Sequence, residues 1–158
     1  LADRLDSLAG LFAAGLALTG LAGFVILLCL ALPADARQAS GGITGAIPFS
    51  EARLAQARAA GKPVFVWMTA DWCLTCKVNE RAAIERETTA AVLRKAGVVV
   101  LRGDWTRRDP AITSYLTANA AAGVPFYKWY PADGKPPEQL PQVLTPAMLI
   151  ELAERDGS

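Results

Sequence analysis

The sequence predicts an α/β fold, in which helices flank a central mixed sheet, preceded by one membrane-spanning helix. Two observations support this prediction. In the second part of the chain, short apolar runs typical of buried strands alternate with segments that begin at helix-capping residues. Strands separated by helices, followed by a hairpin and a last helix, indicate an α/β sandwich. In the first part, no charged residue occurs from Leu8 to Leu32.

Composition excludes several classes of function. The net charge is +1, from 16 basic and 15 acidic residues, so no nucleic-acid partner is expected. The chain has three cysteines and no histidine. The sequence therefore has no Ser–His or Cys–His nucleophile pair and no imidazole metal ligand. Because the first residue is Leu, we expect the chain to be a piece of a longer polypeptide, a processed product or an engineered chain.

The uncharged run predicts a transmembrane helix at 1–34. It has about 25 residues and would measure roughly 37 Å as a helix, enough for a hydrocarbon core of about 30 Å. A secretory signal peptide is the alternative, but its apolar part is about 7–15 residues long and follows a basic segment. Cys29 lies within the run and is interpreted as an apolar filler. Residues 35–48, rich in Gly, Ala, Ser and Pro, are expected to form a flexible linker.

The globular domain is predicted at 49–158. Apolar runs predict strands at Val64–Thr69, Val98–Leu101 and Phe126–Tyr130, with a weaker one near Gln139–Leu144. Capping and terminating residues predict five helical segments. They run from Ser50 to about Ala60, from about Cys73, over Ala90–Ala96, from Asp109 to about Ala118, and from Thr145 onward.

Cys73 and Cys76 lie where a predicted buried strand turns into a helix. Segment 70–77 reads Ala-Asp-Trp-Cys-Leu-Thr-Cys-Lys. The thiolate is the nucleophile in thiol–disulfide exchange, and the partial positive charge of a helix N-terminus stabilises it. The second cysteine lies one turn deeper on the same face, where it can resolve a mixed disulfide. The spacing therefore predicts a redox-active pair.

Three other uses of this pair are less compatible with the sequence. A zinc site needs about four ligands, and the globular part offers two thiols and no histidine. A c-type haem needs histidine after the second cysteine, where Lys77 stands. A purely structural disulfide across three residues restrains the unfolded chain little.

These residues resemble the thioredoxin superfamily. The motif follows an apolar strand, and Gly123-Val124-Pro125 comes about 50 residues later. The Asp-Trp pair before the first cysteine makes the chain similar to the C-terminal domain of DsbD-type electron transporters, including the ScsB-like branch. The resemblance implies a thioredoxin-like fold with a cis Val124–Pro125 peptide bond facing the cysteines. It also implies that Trp72, Val124 and Pro125 contact the partner protein.

Glu80 is a third candidate catalytic residue. It follows Cys76 by four residues on the same helical face, and DsbD-like domains hold an acidic group there. A carboxylate at this position would disfavour the Cys73 thiolate and accept a proton from Cys76. The alternative is an ordinary solvated charge. Two departures from the family accompany it: Trp67 stands where a buried Asp is common, and Phe126 where Thr often follows the proline.

The resemblance implies a protein-disulfide reductase of the bacterial inner membrane. Its domain would lie in the periplasm and pass reducing equivalents to disulfide-containing proteins, after receiving them from the transmembrane electron-transfer domain of the same polypeptide. No cofactor is expected within the chain. One alternative is an independent membrane-tethered reductase, for example in cytochrome c maturation. Another is a redox-inactive binding module of the same fold.

Overall fold

The computed structural model describes residues 42–157. The predicted membrane helix and Cys29 lie outside these residues. Within 42–157, no helix combines the length and the apolar character that crossing a membrane requires. The described part contains a five-stranded sheet with the strand order β1-β3-β2-β4-β5. The strands are β1 (Ile47–Pro48), β2 (Val64–Thr69), β3 (Val99–Asp104), β4 (Phe126–Tyr130) and β5 (Glu138–Gln139).

The sheet is mixed, as predicted. Strand β3 runs parallel to β1 and β2, whereas β4 runs antiparallel to β2 and β5. The helices are α1 (Glu51–Ala59), α2 (Leu74–Asn79), α3 (Glu87–Lys95), α4 (Pro110–Ala118) and α5 (Pro146–Asp156), with one π-helical turn at Glu80–Ile84. The α/β fold class is confirmed.

Strand β2 is the centre of the fold because all six of its residues are buried. Its side chains alternate between two apolar clusters, as the period of two in a strand requires. Phe65 and Trp67 join one cluster with residues of α3 and α5. Val66 and Met68 join the other with residues of α1 and α4. Helices therefore cover both faces of the sheet. Because β2 is buried on both faces, all its side chains have to suit the core, which explains its unbroken apolar run.

The predicted helix starts are confirmed by their caps. The side-chain oxygens of Ser50, Asp109 and Thr145 each accept a hydrogen bond from a backbone N–H in the first turn of α1, α4 and α5. Pro110 occupies the first turn of α4, where its missing N–H removes no helical bond. Gly61 follows the end of α1 with a φ of 64°.

The assignment of residues 42–48 to a flexible linker is wrong. Residues 42–45 form a turn, and Ile47–Pro48 form β1 beside β3. Ala46 is only 2% exposed and belongs to the core cluster that contains Phe65. The strand was missed because two residues give no readable period. An edge strand tolerates proline, since one side of it needs no partner.

Other boundaries also differ from the prediction. The fourth strand, predicted near Gln139–Leu144, is observed as the two residues Glu138–Gln139, so it is shorter and begins one residue earlier. Strand β3 continues to Asp104, three residues beyond the predicted end. The helix that follows the cysteines changes into the π-helical turn at Glu80, with a backbone hydrogen bond from Glu85 N to Glu80 O of 2.7 Å. A single π turn has no signature in apolar periodicity, so the sequence did not reveal it.

We predict that residues 42–48 contribute to the stability of the domain. A chain that begins at Phe49 should unfold with a free energy about 2 kcal/mol lower than one that begins at Ser40, because it loses the buried Ala46 and the β1 pairing. Urea unfolding of the two truncated chains measures the difference. Equal stabilities would show that this segment is only an appendage.

Candidate active site

Cys73 caps the N-terminus of α2 with its sulfur. The Cys76 backbone N–H donates to Cys73 Sγ over 3.2 Å. The Cys73 backbone N–H donates to Ala70 O over 3.1 Å, which closes the turn between β2 and the helix. Unpaired N–H groups at a helix N-terminus stabilise negative charge. The sulfur of Cys73 therefore lies where a thiolate is favoured.

The two cysteines are joined by a disulfide with an S–S distance of 2.08 Å. Cys73 is 7% exposed and Cys76 is 0% exposed. The surface that stays open to an incoming disulfide therefore belongs to Cys73 and not to Cys76. This asymmetry agrees with the order of attack predicted from the sequence, although the roles themselves stay predictions.

The Gly123-Val124-Pro125 segment lies beside the cysteines. Val124 packs against the small cluster formed by Ala70, Cys73 and Cys76. The Val124–Pro125 peptide bond is cis, as the family resemblance implied. Next to it is a groove of about 420 Å³. The groove is lined by 120–126 and by Gln139, Leu140 and Gln142, none of which carries a charge.

Trp72 lies on the solvent side of the site. Its side chain is 56% exposed, although it is a large apolar group. Leu74 and Val78, on the outer face of α2, are also exposed. Exposed apolar groups at a reactive cysteine are typical of a surface that binds other proteins.

Glu80 is buried, so the alternative of a solvated charge is excluded. It is 7% exposed and begins the π-helical turn. Thr69 Oγ1 donates to Glu80 Oε1 over 2.5 Å, and Lys77 Nζ donates to Oε2 over 3.0 Å. Lys77 also lies 3.5 Å from Asp71 Oδ1. The carboxylate of Glu80 is therefore held by a hydroxyl from the end of β2 and by a cation from α2.

Trp67 replaces the acidic residue that is common at its position in the family. It is 1% exposed, and the Arg102 guanidinium lies 5.6 Å from its ring centroid. Its Nε1 has no hydrogen-bond partner among the described residues. No carboxylate is thus available at this position, which leaves Glu80 as the buried acid next to the active helix.

Asn79 was missed by sequence reasoning. It is buried at the end of α2, and its Nδ2 donates to Tyr127 OH over 3.0 Å and to Gln142 O over 2.6 Å. Its Oδ1 accepts from Leu144 N over 3.1 Å. Burial raises the pKa of Tyr127 to about 12, with the Asn79 hydrogen bond lowering it and the Glu80 charge raising it, so its hydroxyl stays neutral. Asn79 therefore links α2 to Gln142, which lines the groove. The two residues are 63 positions apart, so no local sequence pattern reveals the contact.

The fold and the cysteine pair define a class of protein. A family model described as thioredoxin-like matches residues 46–132. This match covers more than half of the chain, which therefore belongs to the thioredoxin-like family.

Comparison with known proteins gives a narrower relationship within that family. The chain is similar to thiol:disulfide interchange protein DsbD 1 of Pseudomonas aeruginosa, with 38% identity over 84 residues, or 53% of this chain and 14% of that protein. It is similar to DsbD of Vibrio cholerae, with 33% identity over 86 residues, or 54% of this chain and 14% of that protein. The resemblance to DsbD-type domains is confirmed.

Solved structures show the same fold. The C-terminal domain of Neisseria meningitidis DsbD, in its oxidised form, matches with a TM-score of 0.55 and 22% identity, covering 70% of this chain and 99% of that domain. The match to the curated relatives covers only 14% of their length. The domain is therefore homologous to one part of a much larger thiol:disulfide interchange protein.

We predict that Glu80 and Lys77 act on Cys73 in opposite directions. Glu80→Gln removes a negative charge from the helical segment that carries Cys73 and frees the Lys77 cation, so the pH midpoint for Cys73 alkylation should fall by about half a unit to one unit. Lys77→Gln should raise the midpoint, and the double variant should lie near wild type. The measurement is the alkylation rate of Cys73 against pH in the reduced chain, read by peptide mapping.

Exposed charges on α3 provide matched controls for this cycle. Glu87→Gln and Lys95→Gln make the same chemical changes on a helix that does not carry the cysteines. Neither should move the midpoint. Identical profiles for Glu80→Gln, Lys77→Gln and wild type would show that the Lys77–Glu80 ion pair has no influence on Cys73.

Proposed function

We propose that this chain is a membrane-anchored thiol–disulfide oxidoreductase that reduces disulfides of periplasmic proteins. One observation supports the proposal above all others. The Cys73 sulfur caps the N-terminus of α2 and its residue stays 7% exposed, while its disulfide partner Cys76, one turn deeper, is 0% exposed. A structural disulfide needs no such asymmetry, whereas an attacking and a resolving sulfur do.

In the proposed reaction the domain starts as a dithiol. The Cys73 thiolate attacks one sulfur of the partner disulfide, a mixed disulfide forms, and the other partner sulfur leaves as a thiolate that takes up a proton. Cys76, after losing its proton, attacks Cys73 Sγ and releases the second partner sulfur. Two electrons and two protons pass to the partner, and the domain is left with the disulfide seen here.

Glu80 is the proposed acceptor for the proton of Cys76. Its carboxylate is shielded from water and belongs to the helical segment that continues from Cys76. Lys77 and Thr69 occupy one oxygen each, and each oxygen has a further lone pair. The carboxylate can therefore take up a proton without first breaking both hydrogen bonds.

The partner would bind across Trp72, Val124 and Pro125. Val124 packs against the cluster that contains both cysteines, and the uncharged groove continues from it toward Gln142. An extended segment that carries the partner disulfide fits this shape, because a groove without charged lining favours a neutral chain. The exposed Trp72 ring, directly before Cys73 in the chain, offers a large contact area.

The membrane and the electron source are part of the same proposal. The uncharged run Leu8–Leu32 would anchor the domain to the bacterial inner membrane, with the cysteines on the periplasmic side. The transmembrane electron-transfer domain of the same polypeptide would return the disulfide to the dithiol. The similarity to DsbD proteins, which are named as thiol:disulfide interchange proteins, supports this arrangement.

We predict that Cys76→Ser traps a mixed disulfide with a protein substrate and that Cys73→Ser does not. Without Cys76, the bond between Cys73 and the partner has no internal thiol to resolve it. The adduct is detected by non-reducing electrophoresis after the reduced full chain is mixed with a protein that contains a disulfide.

Two controls accompany the trapping experiment. Cys29→Ser should leave both trapping in the Cys76→Ser background and the reductase activity unchanged. Titration of free thiols before and after a reductant should show two additional thiols in wild type. Equal trapping by both single variants would contradict the assigned order of attack, and a pair that no reductant opens would favour a redox-inactive binding module.

A further inference from the structure

The loop after β3 is hydrogen-bonded to the residues just before Cys73. Asp104 Oδ1 accepts from Thr106 N over 3.0 Å and from Thr106 Oγ1 over 2.5 Å. Because its own proton goes to Asp104, the Thr106 hydroxyl has a free lone pair, and it accepts from Asp71 N over 2.9 Å. The Thr106 carbonyl accepts from Trp72 Nε1 over 3.2 Å. One threonine therefore holds both residues that precede the attacking cysteine.

The ionic state of Asp104 supports this arrangement. Burial acts to raise the pKa of Asp104, but the hydrogen bonds from Thr106 and the charge of Arg102 outweigh it, so the pKa lies below its usual range. The carboxylate is thus ionised at neutral pH and acts only as an acceptor. This fixes the Thr106 hydroxyl with its lone pairs toward Asp71 N.

Trp105 packs against the Trp72 ring. The two ring centroids are 6.1 Å apart, in a tilted arrangement. Trp105 is itself held by a hydrogen bond from its Nε1 to Thr113 Oγ1 of 2.8 Å. It also lies against Gly123, where an added Cβ would come within 3.3 Å of its ring. Trp72 is therefore held at its nitrogen by Thr106 and at its ring by Trp105, yet more than half of it faces solvent.

We propose that Thr106 is a positioning residue for partner binding, because it holds the Trp72 indole ready at the rim of the cysteine site. A large aromatic side chain that is rigid before binding loses less conformational entropy when a partner covers it. The inference rests on the proposed function, since it takes Trp72 to be a contact of the partner. It adds a residue that lies more than 30 positions away in the sequence and does not touch the sulfurs.

The test compares Thr106→Val with Thr106→Ser in the full chain, kept in detergent throughout. Valine keeps the shape but removes the hydroxyl that links Thr106 to Asp71 and Asp104 and so fixes the Thr106 carbonyl that holds the Trp72 indole, whereas serine retains it. Thr106→Val should raise the KM for reduction of insulin, used as a model protein disulfide, by about threefold to tenfold, the range for one hydrogen bond. The kcat should stay within about twofold, and Thr106→Ser should restore the KM. Thr117→Val, on the exposed side of α4, is the matched control.

A double-mutant cycle tests whether Thr106 acts through Trp72. Trp72→Ala should also raise the KM, and the double variant with Thr106→Val should show no further rise. Additive effects would overturn the proposal, because Thr106 would then act without Trp72. An unchanged KM in Thr106→Val would overturn it as well, and a lowered thermal midpoint alone would assign Thr106 only a structural role.

A spectroscopic readout separates this inference from the proposed function. In the ¹H–¹⁵N spectrum, the indole signal of Trp72 is assigned by its loss in Trp72→Phe. Thr106→Val should shift this signal and speed its exchange with water, while Thr106→Ser and Thr117→Val should not. If neither wild type nor any variant reduces insulin, the proposed function fails. The indole signal then still shows whether Thr106 positions the Trp72 side chain. An unchanged signal in Thr106→Val would refute the positioning role.

Discussion

The hydrogen bond from the Cys76 backbone N–H to Cys73 Sγ is the interaction on which the site depends. It requires the sulfur to stand at the first turn of α2 and the chain to leave β2 through a tight turn. Ala70, fully buried at that turn, leaves room for the sulfur pair and supplies the carbonyl that the Cys73 N–H needs. A buried strand that ends at a helix start thus places a reactive atom on a rigid support.

Strand β2 also brings together the other parts of the site. Its antiparallel partner β4 begins directly after Pro125, so the Val124–Pro125 segment arrives beside the cysteines. Its parallel partner β3 ends at Asp104, and the Trp105 N–H donates to Thr69 O over 2.7 Å. The loop that carries Thr106 therefore starts at the level of the active-site turn. Sheet register therefore brings the three segments to the same end of the sheet.

The features that the sequence predicted are those with a local cause. Strand β2 was found because burial on both faces requires an unbroken apolar run, and α4 because Asp109 and Pro110 satisfy a helix start. Strand β1 was missed because its two residues gain their structure from β3, over 50 positions away. Asn79 and Thr106 were missed for the same reason. The role of an amide or hydroxyl side chain cannot be inferred until its hydrogen-bond partners are known, and here those partners are distant in the sequence.

Because position 67 is a tryptophan and not an acid, the buried negative charge of this site is carried by Glu80 instead. A carboxylate in the middle of β2 would be fully enclosed, and an unpaired buried charge is strongly unfavourable. Trp67 avoids that charge and leaves one indole N–H without a partner, which costs about 1–3 kcal/mol. Glu80 instead lies beside Lys77, whose side chain is 28% exposed and reaches toward Asp71 at the surface. Protons accepted by Glu80, as we propose, would therefore reach solvent along this charged edge of α2 rather than through the core.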